Sequence, residues 1–449
     1  MAGRGAGIRI AALAVVFAVG AVYGALVHRN QLFPYSLLRQ LSGRAAESRI
    51  PEDAPPGRWR RAVEEDRPAT WEELSALGYL GTGAAAEGER SGIVVYARER
   101  VMPGLNLYSS GHAPEALLVD LEGRLRHRWR YDFRDAFPET EIEAEDFRAD
   151  FWRKVFLLPE GGLLAIFEGL GLVRLDRRSR LVWAVANASH HDLDVAEDRI
   201  FVLTRTPRID PTLDERHPIL EDFVSVLDGD DGSELGRCSL LEAVRGSRYS
   251  ALMDFVDGAG DLFHTNTLEL LPEPRVERLA AAAGRPRALV SFPKLNTVAI
   301  VDLDDCRLDW ALTGSFRFQH DPRRLANGNL LIFDNLHQSE RSRVLEIDPE
   351  SQEIVWTYSG GSRQSFFSRC CGTAQRLPNG NTLITESEAG RALEVDADGA
   401  VVWELWTPHR GGDDDELVAT LNEVERVPFE AVAGWLPEAS SGGEPSEPR

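Results

Sequence analysis

Histidines provide the clearest chemical signal in this chain. Aligning two predicted hairpins by their turn residues places His190 over His320, and His264 with Asn266 falls in the segment between them. His191 directly follows His190 and is an equal candidate for that position. A neutral imidazole near pH 7 suits a nucleophile, a general base or a metal ligand, and the spacing does not choose among these. The pattern predicts three polar groups at one shared position of a repeated fold.

A repeat must position these histidines. It consists of an apolar residue, an Asp, a polar turn and alternating apolar positions that often end in Trp. Its six instances begin at Asp120, Asp176, Asp228, Asp302, Asp348 and Asp396. A second hairpin pattern lies between them and begins at Leu158, Val195, Leu325 and Leu377. Two of these turns carry Asn-Gly, which favours tight hairpins because both central residues need positive φ. Two hairpins per repeat predict four strands per repeat.

Six such units predict an all-β, six-bladed β-propeller over residues 92–437. The first strand of each blade lines the axis, so the three histidine positions are expected to meet at one end of it. The segment GIVVYARE from Gly92 is expected to pair with a late strand and close the ring, since an open ring leaves unpaired sheet edges. The segment from Leu417 to Trp435 is expected to be helical and to pack outside the ring.

Composition excludes some partners. The chain has 449 residues, with 72 Asp and Glu against 50 Lys and Arg, and its net charge is -22. Such a field repels a phosphate backbone, so no nucleic-acid partner is expected. The four cysteines are too few and too irregularly spaced to predict a disulfide framework or a four-thiolate zinc site.

The N-terminal residues have a different character. Ile10 to Val27 is a run of eighteen residues without Asp, Glu, Lys or Arg. That length just spans a bilayer core, so residues 1–44 are predicted to be a membrane anchor, a transmembrane helix of the signal-anchor type, or a signal segment. Residues 45–91 are predicted to form a stalk, and residues 438–449 a disordered tail. We expect the propeller to face the periplasm or the cell exterior.

Several motifs resemble those of the arylsulfotransferase family, bacterial six-bladed propeller enzymes. They are PGLNLYSS before LLVDLEGRLRHRW, HHDLDV, HTNTLELL, LNTVAIVD, FQHDPRRLANGNLLIFDN, and QRLPNGNTLITES with VVWELW. The resemblance extends from about Gly92 to Trp435. It implies transfer of a sulfuryl group from an aryl sulfate to a phenolic acceptor, without a nucleotide donor, a cofactor or a metal.

The resemblance also implies roles for the histidines. His320 corresponds to the nucleophile that takes the sulfuryl group and becomes a sulfohistidine. His264 and Asn266 correspond to donors to the sulfuryl oxygens, and His190 or His191 to the acid and base partner. This chemistry is physically reasonable, because the charged oxygens need preorganised donors and the leaving phenolate benefits from a proton.

One position departs from the family pattern. The family carries an arginine in the strand that corresponds to ALVSFPKLNTV, where this chain has Pro293 and Lys294. Lysine offers a point charge and lacks the planar fork of a guanidinium. Arg323 or Arg324 could replace the missing arginine, and strand alternation allows only one of them to face the axis.

Two other functions fit the same pattern. A propeller without catalysis could bind a ligand or a partner protein at the mouth of its channel. Alternatively, the histidines could serve a metal-dependent enzyme, with a thiolate from the Cys370-Cys371 pair as a further ligand.

Overall fold

The computed structural model describes residues 59–61, 90–140, 146–271, 286–361, 365–412 and 415–437. The predicted anchor (1–44), most of the predicted stalk (45–91) and the predicted tail (438–449) lie outside these residues. Within the described part of the chain, no helix is long and apolar enough to cross a membrane.

Six antiparallel sheets form the body, as the repeat predicts. From the innermost strand outward, blade one contains β29 (Leu421–Val427), β3 (Leu105–Ser110), β4 (Glu115–Val119) and β5 (Leu125–Arg130). Blade two contains β6 (Lys154–Leu157), β7 (Leu163–Phe167), β8 (Gly171–Leu175) and β9 (Leu181–Val185). Blade three contains β10 (Ser189–Ala196), β11 (Arg199–Asp210), β12 (Asp214–Asp228) and β13 (Glu234–Ser239), with β14 (Gly260–Asp261) parallel to β12.

Blades four to six follow the same order. Blade four contains β15 (Leu268–Leu271), β16 (Arg287–Phe292), β17 (Thr297–Asp302) and β18 (Arg307–Thr313). Blade five contains β19 (His320–Arg324), β20 (Leu330–Gln338), β21 (Arg341–Ile347) and β22 (Ile354–Tyr358). Blade six contains β23 (Thr373–Arg376), β24 (Thr382–Glu386), β25 (Arg391–Val395), β26 (Val401–Trp406) and β2 (Gly92–Tyr96). A separate small sheet joins β1 (Trp59–Arg61), β28 (Leu417–Ala419) and β27 (Arg410–Gly411). Short helices span Phe133–Ala136, Leu240–Arg245 and Phe429–Val432.

The two ends of the propeller close the ring. β2 pairs with β26 on the outside of blade six, as expected for the segment from Gly92. The helix expected from Leu417 to Trp435 is wrong for most of its length, since that segment forms β28 and β29 before the four-residue helix Phe429–Val432. β29 pairs with β3 and becomes the innermost strand of blade one. A strand forms there because blade one otherwise exposes an unpaired edge at the axis.

The aspartates and tryptophans of the repeat have separate structural tasks. Each repeat Asp accepts backbone N–H bonds from its own turn, as Asp120 does from Glu122 and Arg124. Four of the tryptophans donate their indole N–H to a backbone carbonyl of the next blade; these bonds run from Trp129 to Gly161, Trp183 to Gly229, Trp356 to Ala397 and Trp403 to Leu121. The repeat therefore encodes both a turn and a contact between blades.

Apolar packing completes those contacts. Six buried clusters fill the six boundaries between neighbouring blades. One boundary is also covalent, because Cys238 at the end of blade three forms a disulfide with Cys306 in the outer turn of blade four. This bond was not expected from the cysteine spacing, since the two residues are 68 positions apart and meet only when blades three and four pack together.

Candidate active site

His320 opens the innermost strand of blade five and is 3% exposed. Its Nε2 accepts the backbone N–H of Cys371 (3.2 Å), so Nδ1 carries the ring proton and donates to Oδ1 of Asn335 (2.8 Å). The Asn335 amide in turn donates to the carbonyls of Ser368 and Cys371. Burial, reinforced by the charge of Arg153, lowers the pKa of His320 to about 4. His320 is thus a neutral imidazole of fixed tautomer with its lone pair on Nε2.

His264 lies in the segment before β15 and differs in charge. Its Nδ1 is 2.5 Å from Oδ2 of Asp261, and its backbone N–H donates to the same carboxylate. Burial alone would lower its pKa, but the Asp261 carboxylate raises it above the ordinary histidine value. The ring of Phe318 lies near both histidines, 6.4 Å from His264 and 5.9 Å from His320 between ring centroids. His264 is therefore the more basic of the two imidazoles, and His320 is the one that stays neutral.

His190 and His191 are both buried on β10, and their Nδ1 atoms are 2.9 Å apart. Burial lowers the pKa of each well below the ordinary value, so both are neutral. The ring of His191 meets that of His264 edge-on, with centroids 4.8 Å apart. His190 turns toward Asp222, with Nε2 3.5 Å from that carboxylate. The structure therefore brings His191, His264 and His320 together, with His190 behind His191.

Backbone strain concentrates at the same place. Five residues without glycine's freedom adopt positive φ here: His191, His264, Phe318, Asp321 and Cys371. The pairing register also shifts beside these residues. The shift in the β10–β11 pair lies between Ser189 and Leu193, and that in the β19–β20 pair lies between His320 and Arg323. Such bulges re-aim side chains, and strained residues of this kind cluster at functional sites. The innermost strands depart from regular geometry where the histidines meet.

Asn266, the other predicted donor, has its amide directed elsewhere. Its Nδ2 donates to the carbonyl of Gln319 (3.0 Å), and its Oδ1 accepts from Thr267. Asn266 is 6% exposed and joins blade four to the residue before His320. Asn266 therefore links the segment that carries His264 to the segment that carries His320.

Lys294 and Pro293 do not lie in a strand. They form a 3₁₀ turn, Pro293–Leu295, between β16 and β17, because proline cannot donate to the ladder and Asn296 turns the chain with φ 49°. The Lys294 ammonium donates to the backbone carbonyl of Asp261 and is 3.6 Å from Asp257. Lys294 is therefore held by the backbone of Asp261, the residue whose carboxylate binds His264.

Arg323 and Arg324 alternate as expected. Arg323 is turned toward the axis, but it is bound to Asp321 (2.6 Å) and lies 3.3 Å from Asp192. The Arg324 side chain lies by the turn of its own hairpin, near Gly328. Arg323 belongs to what we call the acidic belt, six charged residues on the innermost strands: Lys154, Asp192, Glu269, Asp321, Arg323 and Glu423.

Several residues of the site are absent from the sequence predictions. Arg153 precedes β6, is 7% exposed, and places Nη2 3.8 Å from Sγ of Cys371. A signal for it exists: Arg153 stands five residues before Leu158, as His190 stands before Val195 and His320 before Leu325. Gly372 occupies the same place before Leu377, but a Cβ there would lie 2.7 Å from the Phe333 ring, so Cys371 provides the polar group of blade six. No local pattern marks Asp261 or Arg205.

One group could hold a metal ion. Glu168, His190 and His191 each offer a ligand atom within 4.8 Å of the others, and all three are buried. Two guanidinium groups oppose a cation there, since Arg153 and Arg205 lie 3.8 and 3.9 Å from the Glu168 carboxylate. The positive charges beside Glu168 therefore disfavour a divalent cation at this group.

Comparison with solved structures finds matches with little sequence similarity. A protein of unknown function from Bacteroides caccae is 13% identical and covers 72% of this chain and 98% of its own, with a TM-score of 0.41. The β-propeller domain of Cps50 (Swd1) from Myceliophteria thermophila is 11% identical and covers 75% and 97%, with a TM-score of 0.38. BamB from Moraxella catarrhalis is 11% identical and covers 73% and 95%, with a TM-score of 0.33. These likenesses are too low to bear on function.

Comparison of the sequence with protein families is more informative. No curated protein matches the chain. The sequence model of the family described as arylsulfotransferase (ASST) matches residues 154–408, which span blades two to six up to the end of β26. That match covers more than half of the chain and contains His191, His264 and His320. Together with the six-bladed ring it places this protein in the arylsulfotransferase family.

Proposed function

We propose that this protein transfers a sulfuryl group from an aryl sulfate to a phenolic acceptor through a sulfohistidine at His320. The observation that carries the proposal is a neutral imidazole of fixed tautomer, His320, close to a second imidazole, His264, whose pKa is raised by the bound Asp261 carboxylate. A nucleophile must be neutral, and a departing phenolate needs a proton donor. Family membership makes sulfuryl transfer the expected chemistry.

The first half of the reaction starts at Nε2 of His320. Its lone pair attacks sulfur, an N–S bond forms, and the bond from sulfur to the aryl oxygen breaks. The electron pair leaves on the phenolate oxygen, which takes the proton of the His264 imidazolium. The hydrogen bond from Cys371 to Nε2 is long at 3.2 Å and must yield when sulfur arrives. The displaced N–H then lies beside the sulfuryl oxygens, where a donor is useful.

The second half reverses these movements. The acceptor phenol gives its proton back to His264 as its oxygen attacks sulfur, the N–S bond breaks, and His320 regains its lone pair. His191 is our choice over His190 for the additional acid and base partner, because its ring touches that of His264 whereas His190 faces Asp222. Phe318 offers an apolar surface close to His264 and His320 that suits an aryl group.

The test is an assay with nitrophenyl sulfate as donor and a simple phenol as acceptor. The wild type is expected to release nitrophenolate only when the acceptor is present. After incubation with donor alone, the peptide containing His320 should gain the mass of one SO₃ group. His217→Ala is the matched control, since His217 is 64% exposed and lies on the outer part of β12. A folded wild type that is inactive across a broad donor panel would favour the binding propeller instead.

The metal-dependent alternative is tested in the same assay. Glu168, His190 and His191 give it a specific location. If that reading holds, extensive chelation abolishes turnover and one divalent metal restores it. Sulfuryl transfer through His320 predicts turnover that does not change after chelation.

We infer that the propeller lies outside the cytoplasm and is attached to a membrane by residues 1–44. The uncharged run Ile10 to Val27 supports the attachment. The Cys238–Cys306 disulfide supports the compartment, because such bonds persist mainly in oxidising environments. Removal of residues 1–44 should release a folded, soluble propeller. Protease added to intact spheroplasts should degrade the full-length protein, and protection would contradict this orientation.

A further inference from the structure

We propose that Arg153 binds the sulfuryl group of the donor and replaces the arginine that the family carries on blade four; this inference rests on the proposed function. Arg153 occupies on blade two the place that His190 occupies on blade three and His320 on blade five, five residues before the apolar residue of the inner hairpin. The propeller repeat therefore brings its backbone to the same level of the axis as the histidines.

The Arg153 guanidinium has few close partners for its N–H groups. Within the described residues it has two contacts, 3.8 Å from Sγ of Cys371 and 3.8 Å from Oε2 of Glu168. A side chain that is only 9% exposed normally finds close partners, because a buried charge without them is costly. An anion that accepts two parallel N–H bonds would satisfy this group.

The position of Arg153 suits an anion that reacts at His320. Its charge lowers the pKa of both His320 and His191, after the larger effect of burial, so it lies close to both rings. Its Nη2 approaches the thiol of Cys371, whose backbone N–H bonds to Nε2 of His320. A sulfuryl group that contacts the fork of Arg153 therefore lies next to the nucleophilic nitrogen.

The other cations near the axis are already engaged. Lys294 is bound by the Asp261 carbonyl and lies near Asp257, while Arg323 is neutralised by Asp321 and Asp192. Arg205 lies 3.9 Å from the other oxygen of Glu168, and its charge acts on the pKa of His190, His191 and His264. Glu168 itself bears a negative charge that opposes an anion, and it also accepts the backbone N–H of His191. At a separation of 3.8 Å it orients Arg153 without occupying the fork.

Binding of inorganic sulfate provides a test that does not depend on turnover. We expect the wild type to bind sulfate, measured by calorimetry, and imidazole NMR signals of His320 and His191 to shift during the titration. Losing a charge-assisted bond should weaken sulfate binding in Arg153→Gln by about 10- to 100-fold. Arg153→Lys, which keeps the charge but not the fork, should recover part of that loss. Arg128→Gln removes a half-exposed arginine of β5 and should leave sulfate binding unchanged.

Turnover gives the second reading. The kcat/KM for nitrophenyl sulfate should fall about 10²- to 10³-fold in Arg153→Gln. Sulfate binding that depends on Arg153 in a protein without sulfotransferase activity would keep this inference and reject the proposed reaction. Active wild type with unchanged sulfate affinity and unchanged kcat/KM in Arg153→Gln would reject the inference alone. Absence of sulfate binding and of NMR shifts in the wild type would also overturn it, even if Arg153→Gln does not fold.

Discussion

Two neighbouring levels of the axis use polar side chains in opposite ways. At the histidine level, His320 and Arg153 have long or few contacts, and the backbone is strained. In the acidic belt the carboxylates are committed to the next blade: Asp192 accepts the N–H of Leu268, and Asp321 accepts that of Ala374. The belt thus fastens the edges of the innermost strands, while the histidine level leaves polar atoms available for a ligand.

The belt holds four carboxyl groups, Asp192, Glu269, Asp321 and Glu423, against the two cations Lys154 and Arg323. Burial raises the pKa of Glu269 to about 7, so this carboxyl is partly protonated near neutral pH. Its partial protonation reduces the excess negative charge of the belt. Asp192 stays ionised because Lys154 and Arg323 outweigh the effect of burial on its pKa. The comparison teaches that opposite charges and backbone N–H groups hold the carboxylates of the belt, whereas the buried charge of Arg153 at the histidine level has no ionic partner closer than 3.8 Å and is a candidate for function.

The largest expected effect comes from His320→Ala. Loss of the nucleophile should reduce turnover by at least about 10⁴-fold, while the free energy of unfolding changes by no more than about 1–2 kcal/mol. Steady-state assays and urea titration measure the two quantities. A variant that keeps most of its activity would place the nucleophile elsewhere in the site.

Asp192→Ala should show the reverse pattern in the belt. It removes one of the two carboxylates beside Lys154, which keeps Glu423, and one of the two beside Arg323, which keeps Asp321. It also leaves the buried N–H of Leu268 without its acceptor, so we expect the free energy of unfolding to fall by about 2–4 kcal/mol. Asp230→Ala, at a side chain that is 98% exposed, is the control and should change it by less than about 0.5 kcal/mol. Equal stability of the two variants would refute a fastening role for the belt.

The pH dependence of turnover tests the charge difference between the two histidines. Activity should rise as pH increases through about 4, where His320 loses its proton, and fall as pH passes the raised pKa of His264. Asp261→Asn removes the carboxylate that raises that pKa, so burial then dominates and the alkaline limb should move to lower pH. Turnover at pH 7.5 should fall roughly 10-fold or more, while the acid limb of the pH profile stays at the same pH. An alkaline limb that does not move would assign it to another group.

Gln375→Ala examines an uncharged contact of the same kind as those in the belt. The Gln375 amide exchanges two hydrogen bonds with the backbone of Arg426 in blade one. Because no charge is left behind, we expect a loss of about 1–2 kcal/mol in the free energy of unfolding, less than for Asp192→Ala. A loss as large as that of Asp192→Ala would mean that backbone fastening, and not charge compensation, dominates the belt.

Lys294→Ala should have the smallest effect on catalysis. The ammonium already binds the backbone carbonyl of Asp261, so kcat/KM is expected to change less than about 3-fold, against about 10²- to 10³-fold for Arg153→Gln. A loss on the larger scale would show that Lys294 turns toward the sulfuryl group during the reaction.

The sequence by itself determined the repeat and therefore the ring. The six Asp turns, the tryptophans that end the outer strands and the inner hairpins are local patterns, and period-two alternation with tight turns encodes strands without reference to distant residues. The same repeat indicated His190, His264 and His320, because equivalent positions on successive blades meet at the axis. Applied to blade two, it also indicates Arg153. Closure by β2 followed from the need to cover an edge.

Only the tertiary structure decided the state of each polar group. The raised pKa of His264 depends on Asp261, the tautomer of His320 depends on the N–H of Cys371, and the positive charge of Arg323 is compensated by carboxylates from two blades. The conversion of Leu421–Val427 into the innermost strand of blade one and the Cys238–Cys306 disulfide likewise join segments far apart in sequence. Burial and charge act through space and fall steeply with distance, so these properties exist only after the blades have packed around their axis.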